Sequence, residues 1–144
     1  MPTIPKTSQF GVRLVSTARR WRRALDQGLA DIGLTDATWV PLVHLQNHGN
    51  GMHQKDLALA IGLDTSSLVR LLDVLEARGS IARLPDAQDR RAKRVHLTAQ
   101  GLAEVDGLQT TLAAISERLL DGVSEADRAK ALAIFSQIET NFIS

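Results

Sequence analysis

The chain has 144 residues, of which 44% are apolar and only 3% aromatic, enough for one domain with an aliphatic core. It contains no cysteine, which excludes disulfides, thiolate metal sites and thiol-based redox sensing. The net charge is +1, and with neither a secretory leader nor a membrane-length apolar run in view, a cytoplasmic location and no membrane partner are expected.

The charge is unevenly spread. Residues 1–25 hold six basic residues and no acid, and residues 83–97 hold five basic residues against two acids. The stretches 26–82 and 98–144 are each net acidic. Two basic patches on a near-neutral chain point to a localised polyanion site.

Gln9 to Ile32 predicts a long helix, with Phe10, Leu14, Ala18, Trp21, Leu25 and Leu29 at three- and four-residue steps, ended by Gly33. Thr35 or Asp36 can cap a second helix running to about His48, in which Pro41 takes a first-turn position or makes a kink. His48 to Met52 reads as a loop. A short helix follows from about Gln54 to Ile61, then Gly62, then cap chemistry in Asp64 to Ser67 for a helix reaching about Arg78. Gly79 closes it.

Ser80 to Leu84 and Arg94 to Leu97 predict two short strands joined by a charged hairpin, the form of a wing. Thr98 caps a long helix ended by Gly122, and Ser124 with Asp127 forms a capping box for the last helix. The fold class expected is mainly α, with a winged helix-turn-helix and a two-stranded β wing. All 144 residues are expected to form a single domain, with 35–97 as the winged-helix lobe and 9–32 and 99–143 as the helices that flank it.

Ala58, Gly62 and Leu68 have the spacing of two helices joined by a tight turn, although an ordinary helical hairpin fits that spacing equally well. The outward face separates the two. With Leu68 inward, Ser66, Arg70, Asp73 and Ala77 point away, a compact polar face with an arginine able to reach guanine in the major groove. The hairpin adds Asp89-Arg-Arg-Ala-Lys-Arg94, four cations in six residues, suited to the narrow minor groove. Asp89 would repel phosphate and is read as an orienter for Arg91.

These residues resemble the MarR family of regulators, most closely its SlyA branch, over nearly the whole chain. The wing from Asp89 to Thr98 with Gly101, the segment Ser67 to Glu76 with Arg78-Gly79, and Leu34 to Val40 carry the resemblance. The resemblance implies a helical homodimer on double-stranded DNA, reading pseudo-palindromic operators by recognition helix and wing. By resemblance, Arg70 and Ser67 correspond to base and backbone contacts, and Arg91 to the minor-groove arginine of the wing. The chain departs from the family pattern at Ala87, often proline, and at Leu84, often basic.

The candidate DNA-contacting set is Gln54, Thr65, Ser66, Ser67, Arg70, Arg83, Asp89, Arg90, Arg91 and Lys93. The family also implies a small anionic aromatic effector, for which Arg19, Arg22, Trp39 and Val43 are the candidates. The competing reading puts Trp39 in the core and the arginines on DNA or an acidic neighbour.

No nucleophile, glycine-rich phosphate loop or metal-ligand cluster supports catalysis or a cofactor. His44 and His48 share a helix face as zinc ligands can, but lack a matched third ligand. A protein-interaction module is the rival from another class.

Overall fold

A computed structural model describes residues 3, 5–34 and 36–142; Thr35, one of the two cap candidates, and Ile143, the last residue of the C-terminal flanking range, lie outside the described residues. Among the described residues the order is α1 (Lys6–Asp31), α2 (Trp39–His48), β1 (Met52–His53), α3 (Gln54–Ile61), α4 (Thr65–Ala77), β2 (Ile81–Pro85), β3 (Lys93–Leu97), α5 (Ala99–Leu119) and α6 (Glu125–Asn141). The fold is mainly helical, with the helix-turn-helix and wing in the expected order.

Local chemistry sets the boundaries. Asp64, Thr98 and Ser124 each accept a backbone N–H from the first turn of α4, α5 and α6 respectively, at Ser67, Gly101 and Asp127. Gly62 ends α3 in the left-handed region, at φ 80°, where its lack of a Cβ removes the steric cost. The second helix starts later than its cap candidates suggested. Asp36 accepts the Thr38 backbone N–H at 3.2 Å and also the Thr38 hydroxyl, so residues 36–38 form a turn before Trp39 opens the helix. Pro41 consequently sits in the first turn, where a missing N–H costs nothing.

The β2–β3 hairpin is the expected two-stranded wing, with Ile81 opposite Leu97. A third antiparallel strand joins it in the order β1-β3-β2, with Met52, read from the sequence as loop, opposite Val95. The extra strand is two residues long, too short for any alternation to register in the sequence. It pins the start of α3 to the root of the wing.

Leu42, Leu45, Leu57, Leu68, Leu72, Leu75, Val95 and Val105 form the main core beneath α4 and the sheet. A second cluster joins Leu29, Trp39, Val40, Leu108 and Leu112 where α1 and α5 cross α2. Gly101 permits the close seat of α5, since a Cβ there would lie 2.0 Å from the Ser80 carbonyl oxygen. The ends differ: α6 has no buried residue and α1 buries only Leu29. Phe10, Leu14, Leu132 and Phe135 are all exposed. No helix among the described residues is long and apolar enough to cross a membrane.

Candidate nucleic-acid interface

The start of α4 is a hydrogen-bonded cap. One carboxylate oxygen of Asp64 accepts the Ser67 N–H at 2.7 Å and the Ser66 hydroxyl at 2.8 Å, and the other accepts the Ser67 hydroxyl at 3.0 Å. These donors hold the Asp64 carboxyl below the usual range, the Ser67 backbone N–H first among them. The consequence bears on recognition. Both serine hydroxyl protons are committed to Asp64, and a phosphate has no proton to give. A Ser66 or Ser67 contact to the DNA backbone therefore requires the hydroxyl to swing away from Asp64.

Further along the helix, Leu68 is buried as the pattern predicts, and Arg70, Asp73 and Ala77 are exposed. Thr65 is exposed at the first position of α4, and Gln54 is half-buried at the first position of α3. Arg70 has no side-chain hydrogen bond or ion pair among the described residues.

Arg83 lies elsewhere in the electrostatics. Only 18% of its side chain is exposed, because its guanidinium reaches back from β2 to Asp73 at 2.6 Å and Glu76 at 3.1 Å on α4. The Glu76 carboxyl is held below its usual range, chiefly by the hydrogen bond from that guanidinium. Arg83 thus ties the wing strand β2 to α4 and offsets the charge of two acids on that helix.

The wing is braced from inside by residues that sequence reasoning did not single out. Asp86 is 7% exposed; one carboxylate oxygen accepts the Gln88 N–H at 2.8 Å, and the other accepts the Arg94 Nε–H at 3.0 Å and lies 3.1 Å from His53 Nε2. The Gln88 N–H is the leading cause of its lowered pKa, ahead of the attraction of Arg94. Arg94 also donates to the Gly51 carbonyl at 2.7 Å, and Asn50 accepts the Leu97 N–H at 2.6 Å. Arg94 entered the sequence argument as one of four wing cations, but it points into the brace. The cross-strand partnership of β1 and β3 makes this arrangement, and no local signal marks it.

At the hairpin, Asp89 accepts the Arg91 backbone N–H at 3.0 Å, so it orients Arg91 through the main chain rather than through the guanidinium. Arg90, Arg91 and Lys93 are exposed, and Arg90 and Arg91 have no side-chain hydrogen bond or ion pair among the described residues.

The effector candidates divide into two places. Arg22 lies 4.9 Å above the Trp39 ring and 3.2 Å from Asp26, which also accepts the Trp39 indole N–H at 3.2 Å. Trp39 is buried and half-buried Val43 packs against both core clusters, so the apolar part of this group is core. Arg19 stands apart, in a groove with Val12, Val15, Arg20 and Arg23. Nearby, the His44 and His48 rings stack with centroids 5.4 Å apart. Burial lowers the His44 pKa, with His48 and Arg22 adding to the effect. No cluster of three or more metal-ligating side chains occurs among the described residues.

The profile of the MarR family matches residues 32–92, the span from the end of α1 into the wing. Among solved structures, the transcriptional regulator PA3341 is 35% identical with a TM-score of 0.79, covering 92% of this chain and 97% of that one. CouR from Rhodococcus jostii RHA1 bound to p-coumaroyl-CoA is 26% identical, TM-score 0.75, covering 94% and 95% of the two chains. CouR is also known bound to a 23-mer DNA duplex, at 25% identity and TM-score 0.70, with 96% and 99% covered. BpsR from Bordetella bronchiseptica, whose DNA binding is regulated by 6-hydroxynicotinic acid, is 26% identical at TM-score 0.71, with 91% and 98% covered. With a winged helix of this geometry and near full-length similarity to PA3341, the chain belongs to the MarR family of transcriptional regulators.

Proposed function

We propose that this regulator is a cytoplasmic homodimer of the SlyA-like branch that binds pseudo-palindromic operators and is released from them by a small organic anion. Residues 35–97 are the DNA-binding lobe, and 9–32 with 99–143 form the dimer base. The α4 helix enters the major groove with Arg70 on a base edge and the Thr65–Ser67 turn and Gln54 near phosphates. The hairpin places Arg91 in the minor groove, with Arg90 and Lys93 on the backbone. Two-fold symmetry sets half-sites about one helical turn apart, roughly 10–10.5 base pairs.

The observation that carries this reading is the division of cations within the lobe. Arg83 and Arg94 are consumed by internal carboxylates, while Arg70, Arg90 and Arg91 have no side-chain hydrogen bond or ion pair among the described residues. A cation that builds the lobe is paired, and a cation meant for another molecule is free. Arg83 accordingly serves as a positioning residue that reaches phosphate only by giving up Asp73 or Glu76.

The effector reading rests on the similar proteins CouR and BpsR, one bound to an aromatic thioester of coenzyme A and the other regulated by a hydroxylated aromatic acid. Of its four candidate residues in this chain Arg19 is the exposed one, while Trp39 and Val43 belong to the core and Arg22 is held by Asp26. Both ligand classes are carried forward for this chain.

The test is DNA affinity measured by fluorescence anisotropy across a salt series, with Arg91→Ala in parallel. The regulator reading expects log affinity to fall linearly and steeply with log salt, and the variant to show a shallower slope. A nearly flat salt dependence and an unaffected variant would support a protein-interaction module instead.

A further inference from the structure

The N-cap of α3 is occupied by a residue that does not cap it. That position favours Ser, Thr, Asp or Asn, whose side-chain oxygen accepts an N–H of the first turn. Here it is His53, whose side chain makes no cap hydrogen bond. The imidazole is engaged elsewhere. His53 stands opposite Arg94 in the β1–β3 register, and both side chains reach the same oxygen of Asp86, His53 Nε2 at 3.1 Å and Arg94 Nε at 3.0 Å. A carboxylate has no proton to give, so the imidazole is the donor in this contact.

Asp86 in turn is built into the base of the hairpin. Its backbone N–H donates to the Ala92 carbonyl at 2.9 Å, and its second carboxylate oxygen accepts the Gln88 N–H at 2.8 Å. Within that closure the Ala92 N–H donates to the Asp89 carbonyl at 3.0 Å, and the Asp89 side chain accepts the Arg91 N–H at 3.0 Å. Arg90 and Arg91 thus ride on a hydrogen-bonded loop whose root is Asp86. From the start of α3 a continuous set of contacts runs through His53 and Asp86 to the two exposed arginines.

On its other side His53 adjoins Gln54, the first residue of α3. A capping side chain at position 53 would serve α3 alone, whereas this one joins α3 to the wing. We infer that His53 is a positioning residue for DNA recognition: through Asp86 it fixes the hairpin against the start of α3, so that Arg90 and Arg91 meet the minor groove in one orientation while α4 lies in the major groove. The inference rests on the wing reading above and adds to it the residue that aims the wing. It also separates aim from stability. Serine at position 53 supplies the missing cap but cannot reach across to the hairpin. Asp86 then keeps Arg94 and the Gln88 N–H, so no buried charge is left unpaired. Glutamine at the same position keeps an amide donor of similar reach.

The experiment is a double-mutant cycle in DNA affinity, read by fluorescence anisotropy on the duplex that the parent enriches from a random pool, with thermal melts of the same proteins. His53→Ser should melt at or above the parent temperature, yet bind about three- to tenfold more weakly. Added to Arg91→Ala, it should cost less than about a further twofold, because the side chain it aims is already gone. His53→Gln should recover most of the affinity. Hydroxyl-radical protection of the minor groove should weaken in His53→Ser as it does in Arg91→Ala. Parent-like affinity in His53→Ser overturns the inference, and so does an equal loss with and without Arg91, which would make the effect independent of the wing. A melting temperature well below the parent, with His53→Gln no better than His53→Ser, would make His53 a stability residue and overturns it as well. If Arg91→Ala is weakened and His53→Ser is not, this inference alone fails. If the parent enriches no duplex, or Arg91→Ala binds as tightly as the parent, the wing reading fails and this inference with it.

Discussion

The winged lobe and the terminal helices are built on opposite principles. In the lobe, α3, α4 and the sheet enclose Leu57, Leu68, Leu72, Leu75 and Val95 with almost no exposure, and the charged residues around them pair with one another. In α1 and α6, large apolar side chains such as Phe10, Leu132 and Phe135 remain exposed, and α6 buries nothing. The lobe is complete within one chain. The ends are not, and their surface is what a second subunit would cover. The contrast separates a winged lobe that is closed by its own residues from terminal helices whose apolar surface is left uncovered within one chain.

The sharpest way to break this contrast is to place a charge on the ends. Leu132→Glu/Phe135→Glu should convert the dimer to monomers in sedimentation analysis. Operator affinity should fall by about a hundredfold or more, because each half-site loses the effective concentration supplied by its twin. An unchanged sedimentation coefficient would show that these side chains are not the interface.

Inside the lobe the corresponding change is Leu68→Ala, which removes a fully buried side chain from the angle between α3 and α4. It should lower unfolding free energy by about 2–5 kcal/mol in a denaturant titration, whereas Leu132→Ala in the isolated subunit should cost little. Equal losses at the two sites would erase the distinction.

Arg70→Ala should leave stability near the parent value. It should cost about 1–3 kcal/mol of operator affinity and relax base preference at one position per half-site. A uniform loss over all sequences would assign Arg70 to phosphate.

The smallest effect expected is on pH dependence. His44 has a lowered pKa, so its folded form resists protonation more than the unfolded chain does. Its contribution to stability is full above the ordinary histidine value near 6.5 and is lost as pH falls through that value toward the folded one. Asp64 and Glu76, also lowered, act further down, losing their contribution as pH falls below the ordinary carboxylate range. His44→Gln should flatten the loss of stability between neutral and mildly acidic pH in thermal melts, and an unchanged profile would show that His44 does not govern it.

Much of the fold was readable in the sequence because its signals are local. Asp64, Thr98 and Ser124 announce helix starts through their own side-chain oxygens, and Gly62 announces a left-handed turn. The periodicity of Leu68, Leu72 and Leu75 fixes which side of α4 faces inward, and with it the exposed position of Arg70. What escaped depends on pairing across distance. The two-residue strand β1 is defined only by its hydrogen bonds to β3, and the Asp86–Arg94–His53 brace exists only because that strand is there. Arg83 and Arg94 are indistinguishable from Arg70 and Arg91 in a charge count, and three-dimensional contact alone sorts them. Similarly, Arg19 and Arg22 lie three residues apart on one helix, yet Arg22 stacks on Trp39 while Arg19 stands exposed beside Arg20 and Arg23.

The central claim is that this molecule reads DNA sequence as a symmetric pair of winged lobes. Selection of bound duplexes from a random pool by the purified protein, with Arg91→Ala run alongside, tests it most directly. The account predicts enrichment of a pseudo-palindrome with half-sites about one helical turn apart, weakened in the variant. No enrichment at low or moderate salt, or enrichment of single half-sites without symmetry, would contradict it.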